Sequence, residues 1–422
     1  MMPRKSNPDP NGGHPLRNVV RLVTAAAGVQ GAALLALPLL QRWCYGPGDF
    51  ADFALYSQWA GLFGAVATVR MDLAVVKHDR DDMARAALTN GLRALGVIAL
   101  VSCLAVLCLR WGGSDMGRLS GLWFWLPLGV VGLGLGNLAT AWLARENRFD
   151  LVARHRGWGG VSGEALRFAF TGLAGTGLIA GRIAGQWLTA GLALRSMNGL
   201  TAADRPSREE RRTAWALDRD YVRYTTPAKL LAMGANALLI LYLFEAAPKD
   251  TVGQVGAAAA YLTVAAGLLI RGVNDVFFRL LNDIPASQLT AVYLRWAVPL
   301  LGIAVLGVVV LHGVPDAWVV SLLGPRWADL LPVMCLLSTW MVPWVAASSL
   351  SGIFPHLGRQ SWSLALDVFH LVLVAGWLAW FTTSQPPIVP GDWTILKHYA
   401  LVQGSFYLIA LVAGVIACRR AQ

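Results

Sequence analysis

A chain of 422 residues that is 56% hydrophobic and only 14% charged, with a mean hydropathy of +0.53, cannot cover a water-facing surface; soluble domains carry about 25% charged residues. Its net charge of +11 excludes an acidic, highly solvated chain and points to nucleic acid, anionic lipid or an anionic solute as counterpart. Eighteen Trp and 44 Gly suit a bilayer, where indoles sit at the interface and Gly lets helices approach closely.

Residues 1–16 are polar and rich in Pro, Gly and Asn, and read as a disordered cytoplasmic tail. The apolar run from Leu22 to Leu40 is too long for the core of a secretory signal and is followed by further runs, so it reads as a retained first helix. A membrane span needs about 20 mostly apolar residues. Twelve candidates follow in order: 20–41, 51–70, 86–109, 119–143, 157–174, 177–195, 222–244, 253–276, 292–312, 328–352, 361–382 and 395–417. The fifth and sixth are short and charged, with only Gly175 and Thr176 between them.

With a cytoplasmic N-terminus, Lys and Arg crowd the loops on that side, including Arg154, Arg156 and the DRPSREERR segment before the seventh span. The opposite side holds only Arg42, Arg110, Arg118, Lys249, Arg326 and Lys397. This skew predicts an even number of spans with both termini cytoplasmic, and it accounts for most of the positive charge without nucleic acid. The long loop at 197–220 divides the chain into a six-span lobe at 17–196 and another at 221–422. A constant offset between them aligns Tyr56 with Tyr261, Ala86 with Ala291 and Pro127 with Pro332, the mark of a duplicated unit with a pathway between its copies.

Cys44, Cys103, Cys108, Cys335 and Cys418 form no CxxC pair, and the GxGxG within Leu128–Asn137 lies inside a span with no preceding strand. Neither a metal, a redox pair nor a nucleotide is expected, and no cofactor is implied. Gly132 and Gly136 read instead as a close helix contact.

Several stretches resemble the polysaccharide-biosynthesis (O-antigen type) flippases of the multidrug/oligosaccharidyl-lipid/polysaccharide exporter superfamily. LYSQWAGLFGAVATVRMDLAVVKHDRDDMARAA (Leu55 to Ala87) is similar to that family's second helix and following loop. ARENRFDLVARHRG (Ala144 to Gly157) resembles its fourth loop, and DYVRYTTPAKLLAMGANALLILYLF (Asp220 to Phe244) its seventh helix. LLGPRWADLLPVMCLLS (Leu322 to Ser338) and LGRQ at 357–360 resemble the tenth helix and its loop. The resemblance implies an all-α polytopic fold whose two six-helix lobes form a V around a cavity opening alternately to each side. It further implies a non-enzymatic carrier in the bacterial inner membrane, moving an undecaprenyl-diphosphate-linked oligosaccharide to the periplasmic leaflet. Membrane lipids, and other polysaccharide-assembly proteins as candidates, are the partners expected beside that cargo. Two competing functions are a cation-coupled drug antiporter of the same superfamily and a membrane glycan polymerase; the short outer loops disfavour the polymerase.

Ionisable residues inside a span cost about 2.5–3.5 kcal/mol each on insertion scales and turn toward the bundle interior. Arg93, Arg167, Arg182 and Lys229 are the candidates for a cationic cavity that matches the diphosphate. For Arg93 and Lys229 the alternative is snorkelling to the cytoplasmic surface. Glu164, three residues from Arg167, reads as its structural partner, with ion coupling as the alternative. Arg70 and Asp72 read as an interfacial ion pair or a cytoplasmic gate.

Overall fold

The computed structural model describes residues 15–112, 122–197, 206–281, 284–384 and 391–421. Helices are built wherever apolar runs meet a start signal. In α2 (Pro47–Val66) Pro opens the first turn, and the Asp49 carboxylate accepts the Gly46 N–H at 2.9 Å. In α8 (Arg208–Leu217) Ser207 and Glu210 cap one another reciprocally, at 3.1 and 2.6 Å.

Among the described residues, twelve long helices cross the molecule. Those of the first half are α1 (Pro15–Trp43), α2, α4 (Asp81–Trp111), α5 (Leu122–Arg145), α6 (Phe149–Ala169) and α7 (Gly175–Ser196). Those of the second are α9 (Thr226–Ala246), α10 (Lys249–Leu281), α11 (Leu289–His312), α13 (Leu330–Ser349), α15 (Gln360–Ser384) and α16 (Thr394–Arg419). Short helices α3 (Met71–Lys77), α8, α12 (Asp316–Leu323) and α14 (Ile353–His356) link them. The chain is thus an all-α multi-pass membrane protein, with six long helices in each half among the described residues. Tyr56 and Tyr261 lie on the second long helix of their halves, Ala86 and Ala291 on the third, and Pro127 and Pro332 on the fourth.

Every expected span coincides with a long helix, but three local expectations change. The fifth helix starts at Phe149 and ends at Ala169, so Arg154, His155 and Arg156 are helical rather than loop residues. The turn after it runs through a 3-10 segment (Thr171–Leu173) to Ala174 at φ 51°. Within the loop expected at 197–220 lies helix α8. The expected tail falls outside the described residues except for Pro15 and Leu16, which open α1; Arg118 and Arg205 also fall outside.

Among the described residues, eight helices are long and apolar enough to span a bilayer alone, nine if α2 and α3 are joined across their 42° bend. Helices α6 and α7 are not among them, because they carry the polar groups described below. Large apolar side chains point outward from the outer helices, including Val97, Leu100 and Leu104 of α4 and Ile303, Leu306 and Val310 of α11. In water these would form an untenable apolar surface; in a bilayer they face acyl chains.

The bend between α2 and α3 comes from Val69 and Arg70, both left-handed at φ 43° and 61°. A β-branched residue in that region is strained, and Thr68 Oγ1, donating to Asp72 Oδ1 at 2.7 Å, helps hold the break.

One hydrophobic core runs through both halves, joining Leu37 and Leu40 of α1, Phe50 and Tyr56 of α2, Val252 and Val255 of α10 and Trp327. A second lies wholly within the latter half, around Phe277, Tyr293, Ala346 and Phe406. The halves meet at the end away from the Arg-rich loops. There a Cβ on Gly253 would lie 1.8 Å from the Pro47 carbonyl, and one on Gly256 would lie 2.5 Å from Ala54 Cβ, so only Gly allows α10 to cross α2 this closely. Lys249 Nζ reaches Asp52 at 2.8 Å across the same contact. Tyr261 donates to the Gln41 side chain, and Trp327 Nε1 to the Gln41 carbonyl at 3.3 Å. These contacts close the outer end.

Candidate functional site

Beneath that closed end lies a cavity of about 760 Å³, walled by α1, α2, α6 and α7 of the first half and by α10 with Met233 of α9 from the second. Its lining runs from Phe53 and Arg167, under the seal, to Arg156 and Thr189 nearer the cytoplasm. Arg156 is about 10 Å along α6 from that helix's cytoplasmic start.

The charged wall exists because α6 and α7 pack glycine against glycine. A Cβ on Gly159 would meet Thr189 Oγ1 at 1.8 Å, and one on Gly185 would meet the Gly159 carbonyl at 2.4 Å. One on Gly181 would meet Arg167 Cγ at 2.6 Å. Gly159 with Gly163, and Gly181 with Gly185, are two GxxxG spacings facing one another. This crossing carries Arg167 and Arg182 to one end of the cavity.

Arg167 is 7% exposed. Its Nη1 donates to both carboxylate oxygens of Glu164, at 2.9 and 2.8 Å, and its carbonyl accepts the Tyr45 hydroxyl at 2.6 Å. The guanidinium lies 4.8 Å from the centre of the Phe53 ring, and that of Arg182 lies 5.7 Å from the same ring. Arg182 Nη1 donates to Ser57 Oγ at 3.2 Å and has no acidic partner among the described residues. Arg156 Nη2 donates to Thr140 Oγ1 at 3.1 Å. Among the described lining residues the charges are therefore Arg156, Arg167 and Arg182 against Glu164. The wall is therefore net cationic among the described lining residues.

Of the residues singled out in the sequence, Arg167, Arg182 and Glu164 come together here, and Glu164 holds Arg167 as the spacing suggested. Arg93 does not line the cavity. It is exposed on α4, a helix that contributes nothing to this wall, beside the outward-facing Leu92 and Val97. Lys229 does not line it either. It is exposed one turn to the cytoplasmic side of Met233, and its charge acts on Asp367 of α15. Arg70 and Asp72 do not form the expected ion pair, because Asp72 is taken by Thr68 while the Arg70 charge acts on Tyr221.

Sequence reasoning missed Phe53, Ser57, Tyr45 and the cavity position of Arg156. The facing GxxxG spacings at 159/163 and 181/185 were the available signal for the α6–α7 contact. The spacing that was read, Gly132 and Gly136, also meets α7, where a Cβ on Gly132 would lie 2.9 Å from Trp187.

No family model and no curated protein matches this sequence. Solved structures do. An inward-facing multidrug resistance MATE family transporter of the MOP superfamily superposes with a TM-score of 0.64 at 15% identity, covering 94% of this chain and 93% of that one. The MATE multidrug transporter DinF-BH gives 0.61 at 12% identity, covering 94% of each chain. The lipid II flippase MurJ, in an inward closed conformation, gives 0.60 at 11% identity, covering 94% and 86%. At these identities the likeness defines the fold: this chain is built as the membrane transporters of that superfamily are.

Proposed function

We propose that this chain is a flippase that moves an undecaprenyl-diphosphate-linked oligosaccharide from the cytoplasmic to the periplasmic leaflet of a bacterial inner membrane by alternating access. Its product would feed O-antigen, capsule or exopolysaccharide assembly. The observation that carries this reading is the cavity wall on which Arg156, Arg167 and Arg182 outnumber Glu164 and Arg182 lacks an acidic partner among the described residues. A diphosphate cannot cross hydrocarbon with its charge unmatched, and guanidinium forks suit phosphate oxygens. The volume of about 760 Å³ is that of a site for a headgroup, which leaves the prenyl chain in lipid.

The test uses proteoliposomes containing a fluorescent undecaprenyl-diphosphate oligosaccharide. Wild-type protein should translocate it, and Arg182→Gln should abolish translocation with the melting temperature unchanged. Normal translocation by a folded Arg182→Gln variant overturns the site. The second reading, a cation-coupled drug antiporter, draws on the fold shared with the multidrug transporters. It would rely on Glu164, the acid of the cavity wall among the described residues, which is already committed to Arg167. Under it, gradient-driven ethidium export would persist in Arg182→Gln while no glycolipid moved.

A further inference from the structure

Helix α8, between the halves, carries a second basic feature, separate from the cavity. Its packed face is fixed by three contacts. Ala214 is buried with Met83 and Ala86 of α4, Asn90 Nδ2 of α4 donates to the Arg211 carbonyl at 2.9 Å, and buried Asp218 meets His78 Nε2 at 2.7 Å. Met83, Ala86 and Asn90 place α8 along the first turns of α4. Arg93 marks the bilayer level there. It is exposed, and beyond it the outward residues Val97, Leu100 and Leu104 are all apolar. A guanidinium at the head of an acyl-facing stripe sits among headgroups, so α8 lies at headgroup depth.

Arg208, Arg212 and Trp215 follow one another at steps of four and three residues, which sets them on one face of α8. All three are exposed, and their face lies about 130° around the helix from Ala214. Helix α8 runs antiparallel to α4, with Arg211 level with Asn90 and Asp218 level with His78, so its first turns lie nearest Arg93. Glu210 is engaged in capping Ser207, and Glu209 lies on the adjoining side. Trp215 is 41% exposed on a helix otherwise rich in charge, and an indole sharing a face with two arginines suits the boundary between phosphate and glycerol rather than bulk water.

We propose that this face of α8 binds anionic phospholipid headgroups of the cytoplasmic leaflet. Arg208 and Arg212 take the phosphates and Trp215 seats in the interfacial layer. Charge complementarity selects acidic over zwitterionic lipid.

The experiment is native mass spectrometry of the full chain in detergent, titrated with phosphatidylglycerol and with phosphatidylcholine. Wild-type protein should retain phosphatidylglycerol preferentially. The double variant Arg208→Gln, Arg212→Gln should weaken this by on the order of 30-fold and leave phosphatidylcholine retention unchanged. Should the double variant fold poorly, Arg212→Gln alone, at an exposed position, should lose about 5-fold. Phosphatidylglycerol retention equal to wild type in either folded variant overturns the assignment.

Discussion

Arg167 is a clamped residue, and Glu164 is its clamp. With Arg167 7% exposed, removing the carboxylate leaves a buried charge without its partner, so Glu164→Gln should lower unfolding stability by about 3 kcal/mol, read by chemical or thermal denaturation. Replacing both by Leu should cost far less, since the charge goes with its partner. Phe53 works differently: its ring faces both guanidinium groups. Phe53→Leu should weaken binding of a short-chain prenyl diphosphate about 5-fold, while Phe53→Tyr should hold it, both by calorimetric titration. The three charges that meet at the cavity stood out in the sequence because ionisable groups are conspicuous inside apolar runs. Phe53 and Ser57 did not, because aromatic and hydroxyl residues are ordinary in spans, and Arg156 looked like one more basic residue of a cytoplasmic loop. Arg93 and Lys229 were equally conspicuous, yet each lies within reach of the surface, and depth along a helix says nothing of the face on which a side chain emerges.

For the helices, apolar length made all twelve legible, but not the ends of those with polar work. The boundaries of α6 shifted because hydropathy treats Arg154, His155 and Arg156 as a loop, whereas Arg156 lines the cavity and buried His155 meets Ser196 of α7. The break after α2 was equally hidden, since Val69 and Arg70 carry no Gly or Pro signal. Two substitutions probe the α6–α7 unit. Ala174 is exposed at φ 51° and ψ −142°, a conformation natural to Gly, so Ala174→Gly should raise stability by about 1 kcal/mol in a thermal-shift assay. Gly181→Val should do the reverse by about 1–3 kcal/mol, since even a Cβ there would press on Arg167 at 2.6 Å.

At the scale of the molecule, the seal at the outer end depends on backbone proximity more than on its ion pair. Lys249 is largely solvent-exposed, so Lys249→Ala should alter the closed population only slightly. Gly253→Val places atoms where the Pro47 carbonyl now lies and should open the outer end. Electron-resonance distances between labels on the outer ends of α1 and α10 should lengthen in that variant and not in Lys249→Ala.

Under the proposed function, the excess of arginine among the described lining residues would make the unloaded carrier sensitive to membrane voltage. With three guanidinium groups against one carboxylate, the wall alone carries about two net positive charges, and an inside-negative potential draws them cytoplasmward with about 2.3 kcal/mol per charge for a full crossing at 100 mV. The proposed dianionic cargo would cancel that charge, so the loaded wall would feel little of the field. The potential would then act mainly on the return stroke, resetting the carrier toward the side where its cargo is made.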